Sequence, residues 1–84
     1  MTMTPALRAR DNSLRQRASR RGLRIVKVRG DLSWGDLGAY LIMDGERVIH
    51  TVHHVVRNHK VTAADWKNVL DDVEAFILIA GQDR

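Results

Sequence analysis

The stretch Gly38-Ala39-Tyr40-Leu41-Ile42-Met43-Asp44-Gly45-Glu46-Arg47-Val48-Ile49-His50 reads as two short apolar strands joined by an Asp-Gly turn. Asp44 and Gly45 both tolerate the positive φ that a type I′ turn needs. The spacing therefore predicts Met43 opposite Glu46, Ile42 opposite Arg47, Leu41 opposite Val48 and Tyr40 opposite Ile49. On that register Leu41 and Val48 share one sheet face, and Tyr40, Ile42, Arg47 and Ile49 share the other. A hairpin alone is marginal in water, so a third strand and a helical cover are required.

The flanking sequence supplies both. Upstream, residues 23–29 (Leu-Arg-Ile-Val-Lys-Val-Arg) predict the first strand, although adjacent Ile25 and Val26 must face opposite sides. Residues 30–38, with three glycines among nine after the strand and two aspartates, read as a loop. Before the strand, Thr4-Pro5 is a helix start, with Thr4 capping and Pro5 at the first helical position; Asp11-Asn12-Ser13 is a second candidate. From either, a helix runs to about Arg21 and stops at Gly22, with a thin apolar stripe of Leu7, Leu14 and Ala18.

Downstream, the second hairpin strand extends to about Val52, and Arg57-Asn58-His59-Lys60 predicts a turn. Thr62 then caps a helix with Asp65 three residues on, a capping box with Asp replacing Glu. Trp66, Val69, Leu70, Val73, Ile77 and Ala80 recur at the spacing of one buried stripe, with Lys67, Asp71, Asp72 and Glu74 expected in solvent and Gly81 as the stop. The order is α-β-β-β-α, an α+β fold with a three-stranded antiparallel sheet and both helices on one face. Residues 1–12 read as a flexible basic N-terminus and 13–84 as one small domain.

A chain of 84 residues is near the lower limit for a self-sufficient core, so a homodimer or another partner would add support. Without cysteine there is no disulfide framework or thiolate zinc site. No apolar run is long enough to span a bilayer, and the N-terminus lacks the apolar centre of a signal peptide. The expectation is a cytoplasmic protein without membrane contact.

The formal net charge of +4 is unevenly placed. Residues 1–30 carry nine basic groups against one acid, a net of +8, whereas residues 31–84 carry five against nine acids, a net of −4. Such asymmetry suits nucleic acid, DNA before RNA, or an acidic protein partner. Arg10, Arg17 and Arg21 are spaced seven and four apart and share one helix face. Their guanidinium forks suit phosphate, and Arg24, Lys27 and Arg29 would extend the patch.

Trp34, in the Gly/Asp loop, has two readings: folded back to supplement a small core, which is favoured, or standing out as a partner-binding anchor. His50, His53, His54 and His59 do not converge as three ligands on one strand face, so they read as structural and no metal or cofactor is assigned. No enzyme is expected: there is no phosphate-cradling glycine loop or nucleophile turn, and the neighbouring Asp71 and Asp72 point about 100° apart on a helix.

Arg21-Gly22-Leu23-Arg24-Ile25-Val26-Lys27-Val28-Arg29, Gly38-Ala39-Tyr40-Leu41-Ile42-Met43-Asp44 and Leu70-Asp71-Asp72-Val73-Glu74-Ala75-Phe76-Ile77 together carry a resemblance. The chain resembles a group of small proteins encoded by actinobacteria and their phages, which show a basic helix, a Gly-Leu-Arg-Leu strand, a Tyr-containing strand ending in Asp, and a final Leu-Asp-Asp-Val-Glu-Ala helix. The resemblance covers about residues 14–78 and departs in residues 53–60. It implies the α-β-β-β-α order and carries no functional residue. The order also matches the double-stranded-RNA-binding domain by topology alone. That domain's basic cluster at the start of the last helix is missing here, where residues 62–68 hold only Lys67.

Overall fold

The computed structural model describes residues 3–56 and 60–82. Helix α1 (Pro5–Arg20) leads to strand β1 (Arg24–Val28), a single 3-10 turn (Leu32–Trp34), strands β2 (Asp36–Asp44) and β3 (Arg47–Val55), and helix α2 (Ala63–Gln82). The sheet has the order β1-β2-β3 with both pairings antiparallel, which gives the α+β architecture. The turn expected over residues 57–60 falls largely outside the described residues.

Local chemistry accounts for the helix boundaries. The Thr4 hydroxyl accepts from the Leu7 amide, and the Pro5 ring occupies the first turn, so α1 starts at the earlier of its two candidate sites. The domain boundary expected at residue 12 therefore lies inside this helix. Arg21 caps the other end and Gly22 follows with a φ of 74°, which glycine adopts without penalty. At α2 the capping box forms reciprocally: the Thr62 amide donates to Asp65 Oδ2 at 2.8 Å, and the Asp65 amide donates to the Thr62 hydroxyl at 3.4 Å. Helix α2 continues past Gly81 to Gln82, correcting the expected stop. A glycine weakens a helix by about 1 kcal/mol relative to Ala and need not end it.

The hairpin register differs from expectation. Asp44 pairs with Arg47, so Gly45 and Glu46 form the turn, with Gly45 at a φ of 65°. Met43 then faces Val48, but Ile42 faces His50, Leu41 faces Thr51 and Tyr40 faces Val52. The shift between Ile42 and Met43 is a β-bulge in which Ile49 and His50 together oppose Ile42. Its physical logic is alternation: without the extra residue Thr51 would point into the core, and with it Val52 does. A second shift, between Asp36 and Ala39, contains Gly38 at a φ of 83°. It lets β2 begin at Asp36, inside the segment read as loop, and β3 extends to Val55 rather than Val52.

One sheet face is packed under the helices. Ile25, Leu37, Tyr40, Ile42 and Val52 meet Leu14 and Ala18 of α1 and the α2 stripe of Trp66, Val69, Leu70, Val73 and Ile77. Burial of each large aliphatic side chain contributes about 1.5–3 kcal/mol before entropic costs. The opposite face carries Val26, Leu41, Met43, Val28, Val48 and Val55 at half-buried or exposed positions. At the β1 edge, Arg15 donates from its Nε to Asp11 at 3.1 Å and from a terminal nitrogen to the Ile25 carbonyl at 3.0 Å. A charged side chain on an edge carbonyl discourages pairing with a foreign strand.

Candidate nucleic-acid interface

On α1 the arginines fall on both sides of the buried stripe, and the two sides have different neighbours. Arg10, Arg17 and Arg21 lie on the flank toward α2. Arg10 bridges the helices, with its guanidinium 2.6 Å from Asp71 and 3.3 Å from Glu74. Arg21 donates to the Ile77 carbonyl at 2.9 Å. The face expected to grip phosphate is thus partly an inter-helix seam. The acids expected in solvent supply it: Asp71 also pairs with Lys67 at 3.0 Å, and only Asp72 of the group turns toward β3. The +8 of residues 1–30 and the −4 of residues 31–84 partly neutralise each other inside the fold.

Lys27 also departs from a surface role. Its ammonium lies 4.8 Å from the Tyr40 ring centre and 4.9 Å from that of Trp66, and it donates to the Leu37 carbonyl. Burial lowers its pKa, opposed by the nearby Asp11 and Asp36 charges.

What remains outside is a smaller set of cations. Arg8, Arg17, Arg20, Arg24 and Arg29 are exposed. Among the described residues Arg8, Arg17, Arg20 and Arg29 make no ion pair or hydrogen bond, and Arg24 touches Met43 Sδ at 3.6 Å. Because β1 runs back along α1, Arg17, Arg20 and Arg24 stand toward one end of the pair, Arg24 on the sheet face away from the helices beside Met43, and Arg8 and Arg29 stand toward the other. Arg8 and Arg20, not in the expected set, have as their sequence signal only that they stand off the apolar stripe and off the Arg10 flank.

Trp34 overturns the favoured core reading. It is 79% exposed, held by the 3-10 turn in which its own amide and that of Asp36 both donate to the Asp31 carbonyl. The buried cluster includes Trp66 and Tyr40 and forms without it.

The histidines find separate partners. His50 stacks on Phe76 with ring centres 4.2 Å apart, His53 sits 2.8 Å from Asp36, and His54 sits 2.6 Å from Asp72. The two carboxylates come from distant parts of the chain, so sequence proximity gave no sign of them. Among the described residues no three of His, Cys, Asp or Glu are grouped to hold a metal ion; His59 lies outside those residues. The Asp36 carboxyl is held below the usual range by the Gly38 amide first and His53 second.

The Arg10 seam yields a prediction. Asp71 is held below its ordinary value of 3.8, chiefly by the hydrogen bond from Arg10 and then by that from Lys67. A carboxyl with a depressed folded pKa contributes stability that is present above the ordinary value and lost as pH falls through the depressed one. Arg10→Ala is therefore expected to lower the thermal midpoint by a few degrees at neutral pH. The deficit should shrink as the pH is lowered below about 4 and as salt is added, which circular-dichroism melts would measure.

No helix among the described residues is long and apolar enough to cross a membrane. Compared with known proteins, the chain matches no family model, no curated protein and no solved structure.

Proposed function

We propose that this chain is a small non-enzymatic accessory protein that contacts nucleic acid, DNA before RNA, through the exposed arginines of α1 and β1. The observation that carries the reading is the set left after internal pairing: Arg8, Arg17, Arg20, Arg24 and Arg29 face solvent while Arg10, Arg21 and Lys27 serve the fold. From Arg8 to Arg20 the helix rises about 18 Å, which matches roughly five base steps of a duplex. Guanidinium groups so spaced suit backbone phosphates, and such contacts position a protein without reading base sequence.

Fluorescence anisotropy with a labelled random duplex at low salt tests the assignment. Arg17→Glu combined with Arg20→Glu is expected to weaken binding roughly tenfold or more, since two attractions become repulsions. Arg10→Ala, measured below its melting point, should stay within about twofold of the parent, because its charge is spent on Asp71 and Glu74. Equal losses in both variants, or none in either, would overturn the assignment.

A second reading has its own observation, the exposed and geometrically fixed Trp34. Aromatic anchors of that kind dominate protein interfaces. In that case the partner is an acidic protein, its complex tolerates salt, and Trp34→Ala abolishes it while the Arg17/Arg20 reversal acts mainly on the association rate.

A further inference from the structure

Away from the Arg17–Arg20–Arg24 end, a cleft of about 1030 Å³ opens between the N-terminal half of α1, the β1–β2 connection and the start of α2. Its floor is Tyr40, which is 1% exposed and whose hydroxyl finds no hydrogen-bond partner among the described residues. A buried hydroxyl normally has one, because an unmade hydrogen bond leaves its desolvation uncompensated. Beside it the Lys27 ammonium lies between the Tyr40 and Trp66 rings, with one N–H on the Leu37 carbonyl and two further donors. Arg8 and Arg29 stand at the rim.

The charge available to a ligand in this cleft is positive. Asp11 also lines it, but is committed to Arg15 at 3.1 Å, and Asp31 is likewise engaged. The space between the two rings, where a ligand cation would be favoured, is already occupied by Lys27. The remaining side chains of the lining are apolar, from Met3, Leu32 and Leu37. Pockets with an apolar body and a few convergent polar groups suit small molecules.

We infer that this cleft binds a small organic anion with a flat apolar body, its charge accepting from Lys27 and the Tyr40 hydroxyl and its body lying against Trp66. The cleft shares its rim residues Arg8 and Arg29 with the proposed nucleic-acid contact, but Lys27 and Tyr40 belong to the cleft alone and Arg17, Arg20 and Arg24 lie outside it, so either reading can fail without the other.

The test is a titration of the full chain with 2-naphthoate at fixed ionic strength, followed by the indole N–H signals of Trp66 and Trp34 in nuclear magnetic resonance spectra. Naphthoate is expected to shift the Trp66 signal saturably, in the millimolar range or tighter, and to leave Trp34 unmoved. The isosteric neutral 2-naphthamide should bind at least about tenfold more weakly, since it offers no charge to Lys27. Tyr40→Phe removes only an unpartnered hydroxyl, so the variant should fold at least as stably as the parent and yet lose about tenfold in naphthoate affinity. Arg8→Gln, at an exposed position, should weaken binding by a smaller factor. No saturable shift at Trp66, equal binding of acid and amide, or unchanged affinity in Tyr40→Phe would each overturn the inference.

Discussion

Gly38→Ala is expected to bring the chain to or past its unfolding midpoint at room temperature. Gly38 has a φ of 83°, a region that costs a residue with a Cβ about 1–2 kcal/mol. The added methyl would also overlap the Val28 carbonyl oxygen and lie 2.7 Å from the Gly30 amide nitrogen. Both atoms are backbone, so relief requires β1 to move away from β2. Strand β1 has no other sheet neighbour to hold it. Strain and overlap together should reach about 3 kcal/mol or more, against the roughly 3–5 kcal/mol that a core of this size supplies. Gly45→Ala is the control: it shares the positive φ, at 65°, but a methyl there meets nothing within 4 Å. Its cost should stay near the conformational term alone, about 1–2 kcal/mol. Urea denaturation of both variants measures the contrast, and equal midpoints would show that the close approach at Gly38 is misplaced.

Leu70→Ala should be comparably severe for a different reason. Leu70 is fully buried in the α2 stripe, where five of the fourteen buried core residues reside, so α2 contributes more to the core than any other element. Truncation removes transfer free energy and leaves a cavity that neighbours on two helices and a sheet cannot all close. The expected loss is about 3 kcal/mol, which leaves a chain of this size near its unfolding midpoint. Leu78→Ala, about two turns further along the same helix but off the buried stripe and 45% exposed, should cost well under about 1 kcal/mol. A Leu70 variant as stable as the Leu78 variant would contradict the packing described here.

Element order and the α2 stripe were legible in the sequence because they rest on local rules: a capping residue, a 3.6-residue period, a glycine after the last turn. Thr4, Gly22 and the Thr62–Asp65 box act as those rules require. The hairpin was legible as a hairpin but not in register, since the bulge at Ile49 is chosen by tertiary burial of Val52 over Thr51. The Arg10, Arg17 and Arg21 face was identified correctly as a face. Its neighbour was not, because helical spacing says which residues stand together and nothing about the acids of a helix some 60 positions away. Trp34 was misread for a related reason: a shortage of core residues argued for burying it, whereas the core forms around Tyr40 and Trp66 and leaves Trp34 outside.

The most direct test of the proposed nucleic-acid contact is the salt dependence of duplex binding by the intact chain. Five phosphate contacts predict that the logarithm of the association constant falls linearly with the logarithm of salt concentration, with a slope of about −4.5, and that reversing Arg17 and Arg20 reduces its magnitude by about 2. Binding whose affinity ignores salt, or no binding at low ionic strength, would contradict it.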